Sequence, residues 1–315
     1  MEEGLVLWGV KSIFYVEDNE KNVFKCLIKG KKLDNSFILK GRFEATPLVA
    51  GDRVLFEKSS KDEGKIVKRQ PRKNEFVRLK QGGRQVQSLV ANIDTLVIVD
   101  SVISPPLRTF FIDRCLFTAD IMNINTLIVI NKIDLLEGDD PEAFKKIRAE
   151  YEKIGYKILL VSNVDKIGIE ELKKELTGKI CSFSGRSGVG KSSLIKTLDP
   201  DFDYIRVGDV SSKFNRGTHT TTHSRLYDLA FGAKIIDTPG VREFSIFLDR
   251  AEDVELNYRD FDAYRQGCKY TNCQHIDEPD CAILKAVSRG DIADFRYESY
   301  LRMRDTIQKL SDSRM

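Results

Sequence analysis

The sequence predicts three units in series: a small all-β barrel, an α/β core on a parallel sheet, and a short helical lobe organised around a metal. Three observations carry this reading. From Leu5 to about Ile66 the chain breaks into short strand-forming runs separated by turn-formers. From Asn92 apolar runs alternate with amphipathic segments, the pattern of a parallel sheet covered on both faces. Near the C-terminus three of the six cysteines fall between Cys268 and Cys281, a spacing that suits metal ligation better than disulfides. A chain of 315 residues with 41% hydrophobic content has material for more than one core, since single cores stop growing near ~250 residues.

The elements follow in order. SIFYV, VFKCLI and RVLFE read as strands, with EDNE, GKK and AGD as turns between them. Lys58 to Arg84 carries ten Lys or Arg against Asp62, Glu63 and Glu75, includes KRQPRK and QGGR, and is expected to be a mobile basic connector, either a solvated linker or a nucleic-acid contact. TLVIVDS is the first strand of the core, followed by a helix around LRTFFIDRCLFTADI and the strand TLIVINKID. Asp140 caps the next helix, Pro141 opens it, Phe144, Ile147, Tyr151 and Ile154 share one face, and Gly155 stops it. Strand KILLVSN, a helix around GIEELKKEL and strand KICSFSG come next, and SRLYDLAFG with AKIIDTPG forms a hairpin. Helices flank the terminal cysteines, with Asp291 as the cap of a long segment whose Phe295, Tyr297, Tyr300, Leu301 and Met303 face a core or a partner.

The 51 basic and 48 acidic side chains leave +3, so overall charge names no partner class. No apolar run approaches the ~20 residues that cross a bilayer, and MEEGLVLWGV lacks the basic start and long apolar stretch of a secretory leader. A cytoplasmic protein without membrane association is expected.

The chemistry starts at Gly185-Arg186-Ser187-Gly188-Val189-Gly190-Lys191-Ser192, with Ser193 continuing into SSLIKTL. Glycines let backbone N–H groups wrap a phosphate, the helix that follows adds its positive end, Lys191 reaches the outer phosphates, and the Ser192 hydroxyl ligates Mg²⁺. Asp237 and Gly240 of DTPG follow the strand AKII, placed to hold Mg²⁺ through water and to offer a backbone N–H to a terminal phosphate. Asn131-Lys132-Ile133-Asp134 supplies base choice. The Asp134 carboxylate accepts from N1–H and the exocyclic amine of guanine, a pair adenine does not offer. Val161-Ser162-Asn163 resembles the serine loop that closes over guanine, although Asn163 replaces the small residue usual there. GTP and GDP are therefore the expected ligands.

These parts run base loop, serine loop, phosphate loop, switch, DTPG, with the base loop ahead of the phosphate loop. Joining the ends of a domain and reopening it in a surface loop keeps every contact of the sheet, so the order reads as a circular permutation. In consequence DTPG runs directly into the C-terminal lobe. There Cys268, Cys273, His275 and Cys281 offer three thiolates and an imidazole, enough to close one structural Zn²⁺ site with no open position.

The permuted order, NKID, GRSGVGKSS, GTHTTTHS, DTPG and CKYTNCQHIDEPDC, together with PRKNEFVR and NID, closely resemble the ribosome small-subunit-dependent GTPases, the RsgA or YjeQ family of bacteria. The resemblance covers nearly the whole chain. It implies an OB-fold RNA-binding domain over residues 1–75 with a basic linker to about 84, a circularly permuted GTPase domain over 85–245, and a zinc-binding helical domain over 246–315. It also implies a late role in maturation of the small (30S) ribosomal subunit, contact with its rRNA, and hydrolysis stimulated by the subunit. A monomer is expected.

Val241 stands where Ras-like proteins place a water-orienting glutamine, so another group must serve; the resemblance offers His219. One of Thr220, Thr221 and Thr222 ligates Mg²⁺, and resemblance with spacing favours Thr221. GTP is expected to order Lys213 to His223 and re-aim the zinc lobe. Two rivals are an RNA-binding scaffold that rarely turns its nucleotide over, for which Val241 speaks, and an ATP-using kinase, against which NKID speaks.

Overall fold

The computed structural model describes residues 1–10, 12–29, 38–39, 42–44, 47–79, 85–136, 140–202, 224–237 and 250–312. His219, Thr220, Thr221, Thr222, Gly240 and Val241 lie outside the described residues, as does the expected ordering of Lys213 to His223.

The N-terminal region comprises β1 (Glu2–Val10), β2 (Ile13–Glu17), β3 (Val23–Ile28), β4 (Ile38–Leu39), β5 (Arg42–Glu44), β6 (Arg53–Lys58) and β7 (Glu63–Arg69). Strands β1, β2, β3, β7 and β6 close into a barrel in that order, with β3 and β7 parallel. This is the five-stranded connectivity of an OB-fold. Alternation makes it close: along β3, Phe24 and Cys26 are buried while Val23, Lys25 and Leu27 are exposed. Val6, Phe14, Val16, Val54, Phe56 and Ile66 complete the barrel core.

The basic connector expected from Lys58 to Arg84 is largely strand and fastening instead. Glu63–Arg69 is β7, with Gly64 and Ile66 inward and Lys65 outward, so its lysines are the solvated face of a barrel strand. Arg72 donates Nε and Nη2 to the two carboxylate oxygens of Asp52, at 2.7 and 2.8 Å, and Asp52 is fully buried. Asn74 exchanges hydrogen bonds with the Ile93 backbone at 2.8 and 2.9 Å. PRKN thus pins the barrel to the first residues of the core. Gln81 to Arg84 lie outside the described residues.

β8 (Glu75–Leu79) and β9 (Gln85–Ala91) form a four-stranded sheet with β4 and β5. The core then runs β10 (Thr95–Ser101), α1 (Thr109–Ile121), β11 (Asn125–Asn131), α2 (Asp140–Lys153), β12 (Ile158–Leu160), α3 (Ile169–Leu176), β13 (Ile180–Gly185), α4 (Lys191–Leu198), β14 (Arg225–Asp228) and β15 (Lys234–Asp237). Its six-stranded sheet has the order β12-β11-β10-β13-β15-β14, parallel except for the β14–β15 hairpin. Every residue of β10 is buried because helices cover both faces. Leu96 and Ile98 join Ile112, Leu116 and Tyr151 on one face; Val97 and Val99 join Leu172, Leu194 and Ile195 on the other.

The barrel lies against edge strand β14. The Arg225 guanidinium is 3.8 Å from the centre of the Trp8 ring, which stacks on Tyr15 at 4.2 Å. Lys234 reaches Glu17 and Asp228, each at 2.8 Å, and Lys21 reaches Asp228 at 3.1 Å.

The C-terminal lobe consists of 3-10 turns at Ala251–Asn257, Arg259–Phe261 and Arg265–Gly267, then α5 (Ala282–Ser288) and α6 (Asp294–Asp312). Asp291 is not the cap of the long helix: its backbone N–H donates to Ala286 O and closes α5, and α6 begins at Asp294. Tyr300 and Met303 are fully buried with Tyr297 and Leu301 half-buried beside them, while Phe295 is half-buried against Tyr151 of the core, ring centres 5.7 Å apart. The lobe is held to the core by Arg296, which donates to both oxygens of Asp260 at 3.0 and 2.6 Å and also to Asp113 of α1. Asp113 accepts from Tyr151 Oη of α2 at 2.6 Å and from Ser299 Oγ. All of these carboxylates and the guanidinium are buried.

Candidate functional site

The site forms at the C-terminal ends of the parallel strands, where the loops after β11, β12 and β13 converge. β13 delivers Gly185, and the turn of Arg186, Ser187, Gly188, Val189 and Gly190 leads to Lys191 at the start of α4. Gly188 and Gly190 have φ of 83° and 88°, the left-handed region open to glycine. A Cβ at Gly190 would lie 2.4 Å from Asn131 Nδ2, so the phosphate loop and the base loop touch there.

Asn131 ends β11, is buried, and donates Nδ2 to Val189 O at 2.9 Å. Its Oδ1 is buried without a hydrogen-bond partner, as is Oδ1 of Asn163. Two orphaned acceptors beside a glycine loop fit a ligand carrying its own donors, since a buried polar group left unpaired is costly. Lys132, at φ 65°, donates Nζ to Gly188 O at 2.7 Å and to Ser104 O. Ile133 N donates to Val161 O at 3.3 Å. Asp134 Oδ1 accepts from Ser162 Oγ at 2.6 Å, and the same hydroxyl accepts from Asp165 N at 3.0 Å. The serine loop therefore aims the Asp134 carboxylate.

Ser192 and Ser193 are exposed in the first turn of α4. Asp237 ends β15, one residue beyond Ile236, which pairs with Ser182 of β13. A serine hydroxyl and an aspartate carboxylate are oxygen donors of the kind Mg²⁺ takes. Thr221, Gly240 and His219 lie outside the described residues.

The motifs do not reveal a buried support. Asp100 at the end of β10 is fully buried and accepts from Arg186 Nη2 at 2.6 Å. Burial pushes its carboxyl up, while Arg186 and the Ser101 and Arg108 N–H groups oppose that. Arg186 also donates to Pro106 O at 2.6 Å, so the loop after β10 braces the phosphate loop from the side. The only sequence trace is a carboxylate closing the apolar run TLVIVDS.

In the lobe, the ligand atoms of Cys268, Cys273, His275 and Cys281 lie within 4.8 Å of one another. His275 Nδ1 is 3.3 Å from Cys281 Sγ and 3.6 Å from Cys268 Sγ, and those sulfurs are 3.9 Å apart. Zn–S bonds of about 2.3 Å and Zn–N bonds of about 2.0 Å in a tetrahedron set ligand atoms roughly 3.5–3.8 Å apart, so the donor set fits zinc. Burial keeps the imidazole below its ordinary value and thus neutral, the ligating form. Burial and the neighbouring sulfurs push Cys273 up to about 12, and a divalent cation would reverse that. His275 Nε2 faces Glu255 Oε2 at 3.7 Å.

The profile of the RsgA GTPase family matches residues 69–247. The small ribosomal subunit biogenesis GTPase RsgA of Flavobacterium psychrophilum is 37% identical over 304 residues, spanning 95% of this chain and 91% of that protein. The protein of the same name from Geobacillus thermodenitrificans is 36% identical over 301 residues, 96% of each chain. Among solved structures, YjeQ from Thermotoga maritima superposes with a TM-score of 0.78 at 31% identity, covering 98% of both chains. YloQ, described as a circularly permuted GTPase, superposes with a TM-score of 0.75 at 26% identity, over 98% of this chain and 96% of the other.

Proposed function

This chain belongs to the RsgA GTPase family, and from that premise we propose that it hydrolyses GTP to GDP and phosphate in the biogenesis of the small ribosomal subunit. The observation that carries the reading is the clasp between the two motifs. Asn131 and Lys132 of the base loop donate to Val189 and Gly188 of the phosphate loop, although 58 and 56 positions separate them. Base recognition and phosphate recognition then belong to one ligand.

In this reading Asp134 reads N1–H and the exocyclic amine of guanine, Ser162 holds it in line, and Asn131 Oδ1 meets the purine edge. The backbone of Gly185 to Gly190 wraps the phosphates, Lys191 balances their charge, and Ser193 lies in the helix turn beneath them. Ser192 and Thr221, with Asp237 through water, would hold Mg²⁺, which supplies charge neutralisation at the transferred phosphoryl. Gly240 offers an N–H to the terminal phosphate, and His219 orients the attacking water in place of the glutamine missing at Val241. The barrel over residues 1–75 contacts rRNA, the GTPase unit spans 85–245, and the zinc lobe spans 246–315. The protein works in the cytoplasm as a monomer. Because Arg296 bolts the lobe to α1, any nucleotide-dependent swing of the lobe carries α1 with it.

The test is multiple-turnover phosphate release from GTP titrated with purified small subunits. Slow turnover alone and acceleration by the subunits are expected. A rate that the subunits leave unchanged would reduce the protein to an RNA-binding scaffold.

A further inference from the structure

Beside the nucleotide site, on the face where α1 meets α6, a cavity of about 600 Å³ opens to solvent. Four arginines line it: Arg108 and Arg114 of the α1 segment, Arg186 of the phosphate loop, and Arg302 of α6. No acidic side chain lines it among the described residues. Arg108 and Arg114 have no ion pair among the described residues. The Nε atoms of Arg114 and Arg186 are buried without hydrogen-bond partners. Among the described residues Arg302 pairs only with Glu298, at 3.9 Å on its own helix, and its guanidinium lies 5.5 Å from the centre of the Phe110 ring. Phe110 and Phe111 supply the apolar wall.

Arg108 and Arg114 bring two cations without a counter-ion among the described residues, and Arg114 and Arg186 keep unpartnered donors, so an anion in the cleft would stabilise it. Guanidinium forks match phosphate oxygens in pairs, and an apolar wall strengthens such contacts by excluding water. We propose that this cleft is a binding site for a backbone phosphate of RNA. The choice of RNA over other phosphates rests on the function proposed above; the presence of an anion site rests on the arginines alone. The position has a mechanical consequence. Arg186 belongs to the phosphate loop and is tied to Asp100, so a phosphate that draws on its free donor pulls on the loop that holds GTP. RNA docking and hydrolysis share one side chain.

The probe is a fluorescent oligouridylate of about 16 nucleotides, titrated into the full-length protein by anisotropy across a salt series, with purified small subunits as a second ligand. Arg114→Gln/Arg302→Gln should bind it about tenfold more weakly, with a salt slope shallower by about 0.7 for each phosphate that is no longer neutralised. Basal GTP hydrolysis should stay at the wild-type rate while the subunit-stimulated rate falls. Arg108→Gln, at an exposed residue without an ion pair among the described residues, provides a variant that folding does not depend on, and should shift affinity in the same direction. Lys173→Gln/Lys174→Gln, on α3 across the sheet, controls for the removal of two charges and should leave binding unchanged. Equal affinity and slope in wild type and both arginine variants would overturn the proposal. So would inorganic pyrophosphate that binds wild type but not the double arginine variant while the oligouridylate binds both alike, which would assign the cleft to free phosphate. Wild-type protein that small subunits fail to stimulate, yet whose RNA affinity still depends on Arg114 and Arg302, would strike the assembly reading and leave the cleft standing.

Discussion

In the base-reading role proposed for Asp134, its neighbour would make a single carboxylate selective. Ser162 takes one lone pair of Oδ1 at 2.6 Å and fixes the plane of the group, so the remaining acceptors face one direction. Asp134→Asn turns an acceptor into a donor. GTP affinity should drop on the order of 100-fold, as expected for losing hydrogen bonds to a charged group, and preference should move to xanthosine triphosphate, whose base presents the complementary acceptor. Competition binding measures both, and a retained guanine preference would remove Asp134 from the base-reading role. At this scale the sequence is legible where a motif is local. NKID and GRSGVGKS each announce their chemistry in a few consecutive residues. Their supports are invisible there because they join distant positions: Lys132 to Ser104 and Arg186 to Asp100 span 28 and 86 residues, and no periodicity records such a pair.

Among the elements, Lys58 to Arg84 departs furthest from its expected form. Its charge density suits a mobile tether, but β7 alternates Ile66 inward with Lys65 outward, and a strand with one wet face carries lysines without harm to its pairing. Arg72 reads as one more solvated cation until Asp52 supplies a buried partner. The C-terminal lobe poses the same problem in stronger form. Its Cys-His cluster is legible from spacing, whereas Arg296 stands unmarked inside an ordinary helix and yet is the buried pin between lobe and core. Arg296→Met should cost about 3–5 kcal/mol, because Asp113 and Asp260 would stay buried without a counter-charge; denaturant unfolding reads this directly, and a loss below about 1 kcal/mol would mean that water reaches the pair. Cys268→Ala should loosen the lobe while sparing nucleotide affinity, since the cluster and the phosphate loop lie in different units. Elemental analysis of the wild type should give one zinc per chain, and a metal-free protein of unchanged stability would overturn the assignment.

Across the whole molecule, the permutation is legible from motif order alone, because strand adjacency in the sheet does not depend on where the chain is cut. What order could not reveal is how the barrel is used. Strand β14 is an edge of the central sheet, and an uncovered edge is a template for association. Trp8, Glu17 and Lys21 of the barrel occupy that side through Arg225, Lys234 and Asp228. A chain shortened to begin at Gln70 should therefore aggregate even though its nucleotide loops are intact, as light scattering and size-exclusion chromatography would register; a monodisperse product would show that β14 needs no cover.

The same junction carries the one tryptophan of the chain, Trp8, beneath a guanidinium two positions beyond His223. An indole so close to a cation has an emission that depends on where that cation lies. The protein therefore comes with a label-free optical gauge close in sequence to the segment expected to answer nucleotide, readable in a cuvette while nucleotide and subunit are exchanged.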